Sequence, residues 1–500
     1  ALEKGKAGLI LVPEISLISQ TERRFRARFG ENVAVLHSGL TNTEFLDQWR
    51  KILEKEARVV IGARSSIFAP VPDPGVIIVD EEHDTSYKQE TGLRYNARDL
   101  AVVRARMNDI PVLLGSATPS VQSYHNTRTG KFQELSLKKR VNKKPLPEIT
   151  VVDLKDLAGA AGIDRIISPT LSKAVRKCLD NDEQALIFLN RRGFSTFPLC
   201  GSCGSSLKCR NCDVTMTFHR EGGEYRCHIC GFAYNDKVAC PDCGHKGIKP
   251  LGFGTEKIEN MLSTLFPDAR IARMDQDTTS RKGEMVKLLK RIKNHTVDIV
   301  VGTQMLAKGH DFPSITLVGI VCADLSLNFP DFRSCERTFQ LLAQVAGRAG
   351  RGDRKGSVVM QTYNRDHFSI TSSKKQDFTE FYLNEIPFRK ALLYPPYTRI
   401  IQLKISGKDK KKVEETAQTA GNFLQSKIQR GAEPADSIQL LGPVEAGIPK
   451  IASRFRWQIL LKGADSSRLN RLVRELIENR EIKRNKGVSI GVDVDPYHML

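Results

Sequence analysis

The sequence predicts an α/β protein with two parallel-sheet lobes, a cysteine-rich insertion in the second lobe, and a smaller α+β domain at the carboxyl end. Three observations support this. Apolar runs of strand length alternate with helix-period segments from residue 7 to about 125 and again from about 165 to 370, the pattern of parallel sheets joined by crossover helices. Eight of the 11 cysteines fall as four C-x-x-C pairs between residues 200 and 243. Beyond residue 370 the order becomes strand, helix, strand, strand, helix, strand, which suggests a ferredoxin-like domain.

In the first lobe, residues 1–137, the strand-like runs are AGLILV (7–12), VAVLH (33–37), ARVVIG (57–62), VIIVD (76–80) and PVLLGS (111–116). KKRVNKKPLPE (138–148) is charged and punctuated by proline, so residues 138–164 read as a linker. The second lobe takes up residues 165–198 and 247–370, with QALIFLN (184–190), ARIARM (269–274), VDIVVG (297–302), ITLVGIVC (315–322) and SVVMQTY (357–363). The insertion covers 199–246. In the final domain, 371–500, YPPY (394–397) breaks the chain, helical stretches follow near 411–430 and 466–479, and VSIGVDVD closes the pattern. No long-period repeat or low-complexity tract is evident.

Five hundred residues at 40% hydrophobic content can form several cores. No apolar stretch reaches the roughly 18 residues of a membrane helix, and no signal segment opens the chain, so a cytoplasmic protein with no membrane partner is expected. The 77 Lys and Arg against 57 Asp and Glu give a charge of +20, for which a polyanion is the simplest partner, nucleic acid before anionic membrane. Basic clusters at 138–145, 407–413 and 480–486 could each alone be a solvated face.

Cys200/Cys203, Cys209/Cys212, Cys227/Cys230 and Cys240/Cys243 have metal spacing. Each C-x-x-C turns two thiolates onto one tetrahedral ion, so eight make two closed, structural zinc sites. Four pairs allow three arrangements; the nested one, with 209/212 and 227/230 on one ion, keeps each loop compact. A redox dithiol or a chance cluster of buried thiols is the bland alternative. His219, His228 and His245 lie nearby, but both sets are complete without them.

VIIVDEEHD (76–84) reads as a central strand buried on both faces that runs into carboxylates at its carboxyl end. In open α/β sheets ligands bind at that edge, and adjacent carboxylates are costly unless a cation shares them. An exposed acidic turn is the bland alternative. The other fragments gain meaning from their order: VPE (12–14), GARSSIFAP (62–70), DEEHD (80–84) and GSATPS (115–120), then NRRG (190–193), GTQMLAKGHDFP (302–313) and QVAGRAGR (344–351).

That order resembles superfamily-2 helicases, and within them the primosomal replication-restart helicases, across essentially the whole chain. The resemblance implies two RecA-like lobes, the first incomplete, and an ATP-dependent 3′–5′ DNA helicase that recognises stalled or branched forks and initiates primosome assembly. Asp80 would act through water on Mg²⁺, and Glu81 would orient or deprotonate the attacking water. Gln344 would sense the nucleotide, Arg351 would be the arginine finger and Arg348 a second γ-phosphate contact. His83, Gly115, Ser116 and Thr118 would couple hydrolysis to lobe movement, and Gly309 and Asp311 would meet the nucleotide. Arg64, Thr303, Gln304 and Lys308 would follow the DNA. SYKQETGLRYNARD (86–99) resembles the family's aromatic-rich loop, which makes Tyr87, Lys88, Tyr95 and Arg98 DNA contacts, since aromatics among cations can stack bases and hold phosphates. Expected partners are single-stranded and forked DNA, single-stranded-DNA-binding protein and other primosome proteins, for a monomer at the bacterial nucleoid.

The chain departs from the family at one place. No G-x-x-x-x-G-K-[S/T] is present; the GK pairs at 5–6, 130–131 and 407–408 are followed by Ala, Phe and Asp. ATP with Mg²⁺ would need a phosphate cradle from upstream, so the chain reads as beginning just after the P-loop helix and as lacking ATPase by itself. A non-hydrolysing zinc-containing scaffold that binds DNA and recruits primosome proteins is the competing reading; an RNA helicase or a helicase-like nuclease fits the general motifs but not NRRG followed by the cysteines.

Overall fold

The computed structural model describes residues 1–137, 146–157, 163, 166–189, 197–200, 205–212, 214–219, 223–235, 238–246, 248–251, 254–275, 278, 283–303, 312, 314–350, 354–430 and 438–499. The chain divides into two compact units, Ala1–Gln133 and Glu134–Leu500.

In the first unit, β1 (Ala7–Leu11), β2 (Val33–Leu36), β3 (Val59–Gly62), β4 (Pro74–Val79) and β5 (Val112–Leu114) form a parallel sheet in the order β2-β3-β1-β4-β5. The apolar runs become strands because both faces of β1 to β3 are buried. The connecting helices are α1 (Ile15–Phe29), α2 (Asn42–Leu53) and α3 (Ala97–Met107), and α4 (Val121–Arg128) follows β5. A capping box of Thr41 and Glu44 starts α2. Since all five strands run in parallel, Leu11, Gly62, Val79 and Leu114 end on one edge of the sheet. The expectation for β4 is corrected on one face: Ile77 and Val79 are buried, but Val76 and Ile78 are half-exposed beside the short, partly exposed β5.

In the second unit, β6 (Glu148–Asp153), β7 (Gln184–Phe188), β13 (Ile271–Met274), β14 (Ile299–Gly302), β15 (Ile315–Ile320) and β16 (Ser357–Thr362) form a parallel sheet in the order β13-β14-β7-β15-β16-β6. Helices α5 (Pro169–Asp180), α6 (Thr255–Leu265), α7 (Glu284–Lys293) and α8 (Ser334–Ala346) accompany it. Two apolar clusters fill the layers, one around Phe188, Val300 and Leu342, the other around Ile187, Leu171 and Leu262. The linker expected over 138–164 is corrected here. Glu148 to Asp153 pair in register with Ser357 to Thr362, because the β-branched run Ile149–Val152 can extend the sheet edge despite the proline and charge before it.

The cysteine-rich region holds β8 (Phe197–Cys200) paired with β12 (Ile248–Leu251), and β9 (Thr217–His219), β10 (Glu224–Arg226) and β11 (Ala233–Asn235) in a small antiparallel sheet. After β16 come α9 (Phe368–Lys375) and α10 (Phe378–Ala391), then β17 (Arg399–Gly407), α11 (Lys410–Arg430), β18 (Gln439–Ile451), β19 (Arg454–Gly463), α12 (Ser466–Glu478), α13 (Arg480–Arg484) and β20 (Val488–Val494). Their antiparallel order β18-β19-β17-β20 is the ferredoxin-like arrangement, with α11 and α12 packed on one face through Leu403, Leu424, Leu461 and Leu472.

Candidate nucleotide site and metal centre

The carboxyl edge of the first sheet gathers VPE, GARS, DEEHD and GSATPS. Asp80 follows β4 and is exposed, its N–H bonded to the Leu11 carbonyl at 2.9 Å. The protein around it raises its carboxyl above the usual range by desolvation, against the Glu81 N–H and His83, which lower it. Glu81 has φ +46°, a left-handed backbone that a residue with a Cβ adopts at a cost of about 1 kcal/mol or more. That twist makes a tight turn: the Glu81 N–H donates to Asp80 Oδ1 at 3.0 Å, and the Glu82 N–H donates to the Gly115 carbonyl at 3.0 Å. His83 Nδ1 and Ser116 Oγ are 2.7 Å apart, and Ser116 Oγ also accepts the Thr118 N–H at 2.9 Å. Gly115 is exposed, Ser116 half-buried and Thr118 buried, so the turn after β5 is physically joined to the acidic turn.

Sequence reasoning passed over Glu82. It is 1% exposed, and its carboxylate accepts the Ser120 N–H at 2.6 Å and the Ser123 hydroxyl at 2.8 Å. The Arg98 guanidinium lies 3.3 Å from it and also donates to Ser120 Oγ at 3.0 Å. Ser120 caps α4 through the Ser123 N–H. The signal was available as a serine closing GSATPS three residues before another, but nothing in the sequence paired them with one glutamate among three acids.

The expected DNA contacts at 86–99 need correction. Tyr87 is 1% exposed, Lys88 4% and Arg98 3%, so these side chains offer no surface to a base or a phosphate. The Tyr87 hydroxyl donates toward the carbonyls of Leu11 (3.0 Å) and Asp80 (2.7 Å); burial, with Asp80, Asp84, Glu81 and Glu82 adding, pushes its phenol far up and keeps it a donor. Arg64 is half-buried, and its guanidinium donates to the carbonyls of Ser86 and Lys88 at 3.0 and 2.8 Å, which fixes the loop rather than a strand of DNA. Tyr95 remains half-buried, edge-on to the exposed Phe68 at 5.0 Å. Tyr87, Arg64 and Arg98 belong to the protein's own framework because backbone carbonyls and Glu82 already satisfy them.

In the second unit, Gln344 is half-buried near the end of α8 and Arg348 is buried just after it. Gly350 has φ +68°, and a Cβ there would lie 2.4 Å from the Gly356 nitrogen, so this turn accepts glycine alone. Thr303 is half-buried directly after β14. Gln304, Lys308, Gly309, Asp311, Arg351 and Cys203 lie outside the described residues.

Cysteines converge in two groups: Cys209, Cys212, Cys227 and Cys230, and Cys200, Cys240 and Cys243, with sulfurs within 4.8 Å of one another in each. Cys209 and Cys230 sulfurs are 3.6 Å apart and those of Cys200 and Cys243 are 3.5 Å. A tetrahedron of thiolates around Zn²⁺ with bonds of about 2.3 Å has edges near 3.8 Å, so the donor sets fit that ion. Of the three possible pairings, this is the nested one. Cys209, Cys212 and Cys227 pack with Leu207, Tyr394, Ile400 and Leu460, which seats the inner cluster on the face of the carboxyl-terminal sheet opposite α11 and α12.

Comparison with known proteins agrees with these parts. Residues 1–127 match the DEAD/DEAH box helicase family, 209–233 the PriA DNA helicase Cys-rich region (CRR) domain, 253–353 the helicase conserved C-terminal domain, and 390–497 the primosomal protein N C-terminal domain. The chain is 44% identical to Replication restart protein PriA of Bacillus subtilis across 100% of its own length and 61% of that protein's. It is 41% identical to the Haemophilus influenzae protein of that name, over 100% of this chain and 67% of that one, and 38% identical to the Treponema pallidum protein, over 100% and 74%. The chain thus spans about 60–75% of the length of these relatives. It belongs to the PriA family of replication restart proteins.

Proposed function

We propose that the protein carrying this chain is an ATP-dependent 3′–5′ DNA helicase that recognises stalled or branched forks and initiates primosome assembly. The observation that carries the reading is the acidic turn at the carboxyl edge of a parallel sheet, hydrogen-bonded through His83 and Ser116 to the next turn. The exposed carboxylate of Asp80 suits a hard cation held through water, and Mg²⁺ with ATP supplies charge neutralisation at the phosphates. Glu81, turned out of β4 by its backbone, orients the attacking water. Arg348 and Arg351 contact the γ-phosphate, for which the planar, permanently charged guanidinium is suited, and Gln344 senses it. His83, Gly115, Ser116 and Thr118 pass the nucleotide state onward, with Gly309 and Asp311 on the nucleotide side and Thr303, Gln304 and Lys308 along the DNA.

The eight cysteines, Cys203 included, hold two structural Zn²⁺ ions. The partners are single-stranded and forked DNA, drawn by the +20 charge, together with single-stranded-DNA-binding protein and primosome proteins, for a monomer in the bacterial cytoplasm at the nucleoid. No described helix is long and apolar enough to cross a membrane. A second reading, a non-hydrolysing zinc-containing scaffold for primosome recruitment, draws on one observation: the 500 residues contain no G-x-x-x-x-G-K-[S/T].

Phosphate release by this chain, and by the chain joined to a segment bearing that motif, with and without forked DNA, separates the two. The helicase reading expects turnover from the joined protein alone, stimulated by DNA, and displacement of strands from substrates with 3′ single-stranded tails. Fork binding by the joined protein without any turnover would support the scaffold.

A further inference from the structure

The helix that bears Gln344 and leads into Arg348 is held at its other end by residues 496 and 497. Arg333, buried just before α8, donates from Nη1 to the Pro496 carbonyl at 2.8 Å, and its guanidinium lies 4.2 Å from the centre of the Phe332 ring and 5.1 Å from that of Tyr497. Arg337, one turn into the helix, donates to the Tyr497 carbonyl and pairs with Asp331 at 3.2 Å. Asp331 in turn accepts the Arg333 N–H at 2.9 Å. A second anchor follows at once: the buried Glu336 pairs at 2.7 Å with Arg389 of α10, which also binds Glu385 at 2.8 Å and the Pro395 carbonyl at 3.2 Å.

The Arg333 guanidinium is buried and takes a neutral backbone carbonyl as its acceptor. Burying such a charge costs several kcal/mol unless its geometry is well satisfied. The buried Arg333 and the half-buried Arg337 each take one carbonyl from residues 496 and 497, beside the Asp331 carboxylate that Arg337 also meets. From Ser334 to Ala346 is about 18 Å at a helical rise of about 1.5 Å per residue, and Phe339, Leu342, Val345 and Ala346 in that span are buried, so the helix is a rigid link from Arg333 to the turn that carries Arg348. The anchor also reaches the inner cysteine cluster. Phe332 stacks on Tyr394 at 4.5 Å with 4° between the rings, and Tyr394 packs in one apolar cluster with Cys209, Cys212 and Cys227.

We propose that Arg333 and Arg337 are positioning residues for ATP hydrolysis, clamped by the Pro496 and Tyr497 carbonyls so that the carboxyl-terminal segment fixes where Gln344 and Arg348 stand. The inference rests on the reading of Arg348 as a γ-phosphate contact. An arginine displaced by an ångström still binds nucleotide but stabilises the transition state poorly, so the loss falls on kcat more than on KM.

The test is DNA-stimulated ATPase of this chain joined to a segment bearing the G-x-x-x-x-G-K-[S/T] motif. Arg333→Ala and Arg337→Met are each expected to lower kcat by about tenfold or more, with KM for ATP within about twofold of the parent, and Arg333→Lys to restore part of the loss. Arg337→Met removes the donor to the Tyr497 carbonyl at a half-buried position and keeps an unbranched side chain, so it reports on the clamp if Arg333→Ala does not fold. Adding Arg333→Ala or Arg337→Met to Arg348→Ala should cause no further loss, because residues that act through one another are not additive. Multiplying losses, or a folded Arg337→Met protein with unchanged kcat, would overturn the clamp. If Arg348→Ala itself turns over normally, the γ-phosphate reading fails and the clamp with it, whereas a slow Arg348→Ala beside normal Arg333→Lys and Arg337→Met variants removes the clamp alone.

Discussion

His83 and Ser116 share a 2.7 Å hydrogen bond that ties the turn after β4 to the turn after β5. Neither atom belongs to Asp80 or Glu81, so the bond can be removed without touching the carboxylates proposed to act on metal and water. Ser116→Ala is expected to leave DNA-stimulated phosphate release within about twofold of the parent while strand displacement falls about tenfold, since coupling free energies of about 1–3 kcal/mol are typical. Parallel measurement of released phosphate and displaced strand checks this. Equal losses in both would place the bond in hydrolysis itself.

The Glu82–Arg98 pair is buried at both ends and knits Ser120 and Ser123 into the same network. Removing one partner strands the other charge away from water, which costs about 3–5 kcal/mol. Arg98→Ala should therefore lower the unfolding free energy of the first unit by that amount, read from its urea midpoint and slope, and its effect on the salt slope of single-strand DNA binding should be nil. A stable variant with a slope reduced by about one would return Arg98 to the DNA interface.

His367 caps α9: its Nδ1 accepts the Ser369 N–H at 3.2 Å, and burial, with Lys208 adding, pushes its pKa down to about 4 from 6.5. A protonated imidazole has no acceptor to offer that N–H. Because the folded value is depressed, the unfolded chain binds more protons between about pH 4 and 6.5; stability rises with pH through that window and is lost as pH falls through it. The loss is about 1–3 kcal/mol, reduced from the full linkage value because the ring retains some contact with solvent. His367→Asn keeps an acceptor at the cap and does not titrate. The difference between the two proteins' urea midpoints should widen from pH 7 to pH 4.5 in favour of the variant. Thiolate protonation at the metal centre is common to both and cancels.

The strands were legible where a single property decided them. AGLILV, VAVLH and ARVVIG lie in sheets covered on both faces, so their apolar runs have no competing explanation. The alternation of elements after residue 397 likewise specified the antiparallel order β18-β19-β17-β20. β6 was masked because the charge and proline of KKRVNKKPLPE precede a strand whose partner, β16, lies two hundred residues away. Side-chain destinations were less legible still. Tyr87 and Arg98 have the chemistry of a nucleic-acid surface, but the same groups satisfy buried carbonyls and a buried carboxylate equally well, and only the packing of the loop on Leu11, Asp80 and Glu82 decides between them. For the cysteines, spacing gave the ligands and left three pairings open; convergence of 209, 212, 227 and 230 selects one.

The two cysteine clusters should differ in how they lose metal. Cys209, Cys212 and Cys227 are buried against Tyr394, Ile400 and Leu460, whereas Cys243 of the outer cluster is exposed. A chelator reaches an exposed thiolate–metal bond first, and metal binding at such sites is itself folding free energy. Emission spectrometry is expected to give two zinc ions per chain, with Cys200→Ser and Cys212→Ser each retaining one. Under a chelator, release should be biphasic. The fast phase should leave the unfolding midpoint of the carboxyl-terminal domain unchanged, because the outer cluster is not among the residues that support its sheet. The slow phase should lower it, because the inner cluster forms part of that sheet's covered face. Release in a single phase, or a midpoint that falls with the first ion, would mean that the clusters fold as one unit rather than as two.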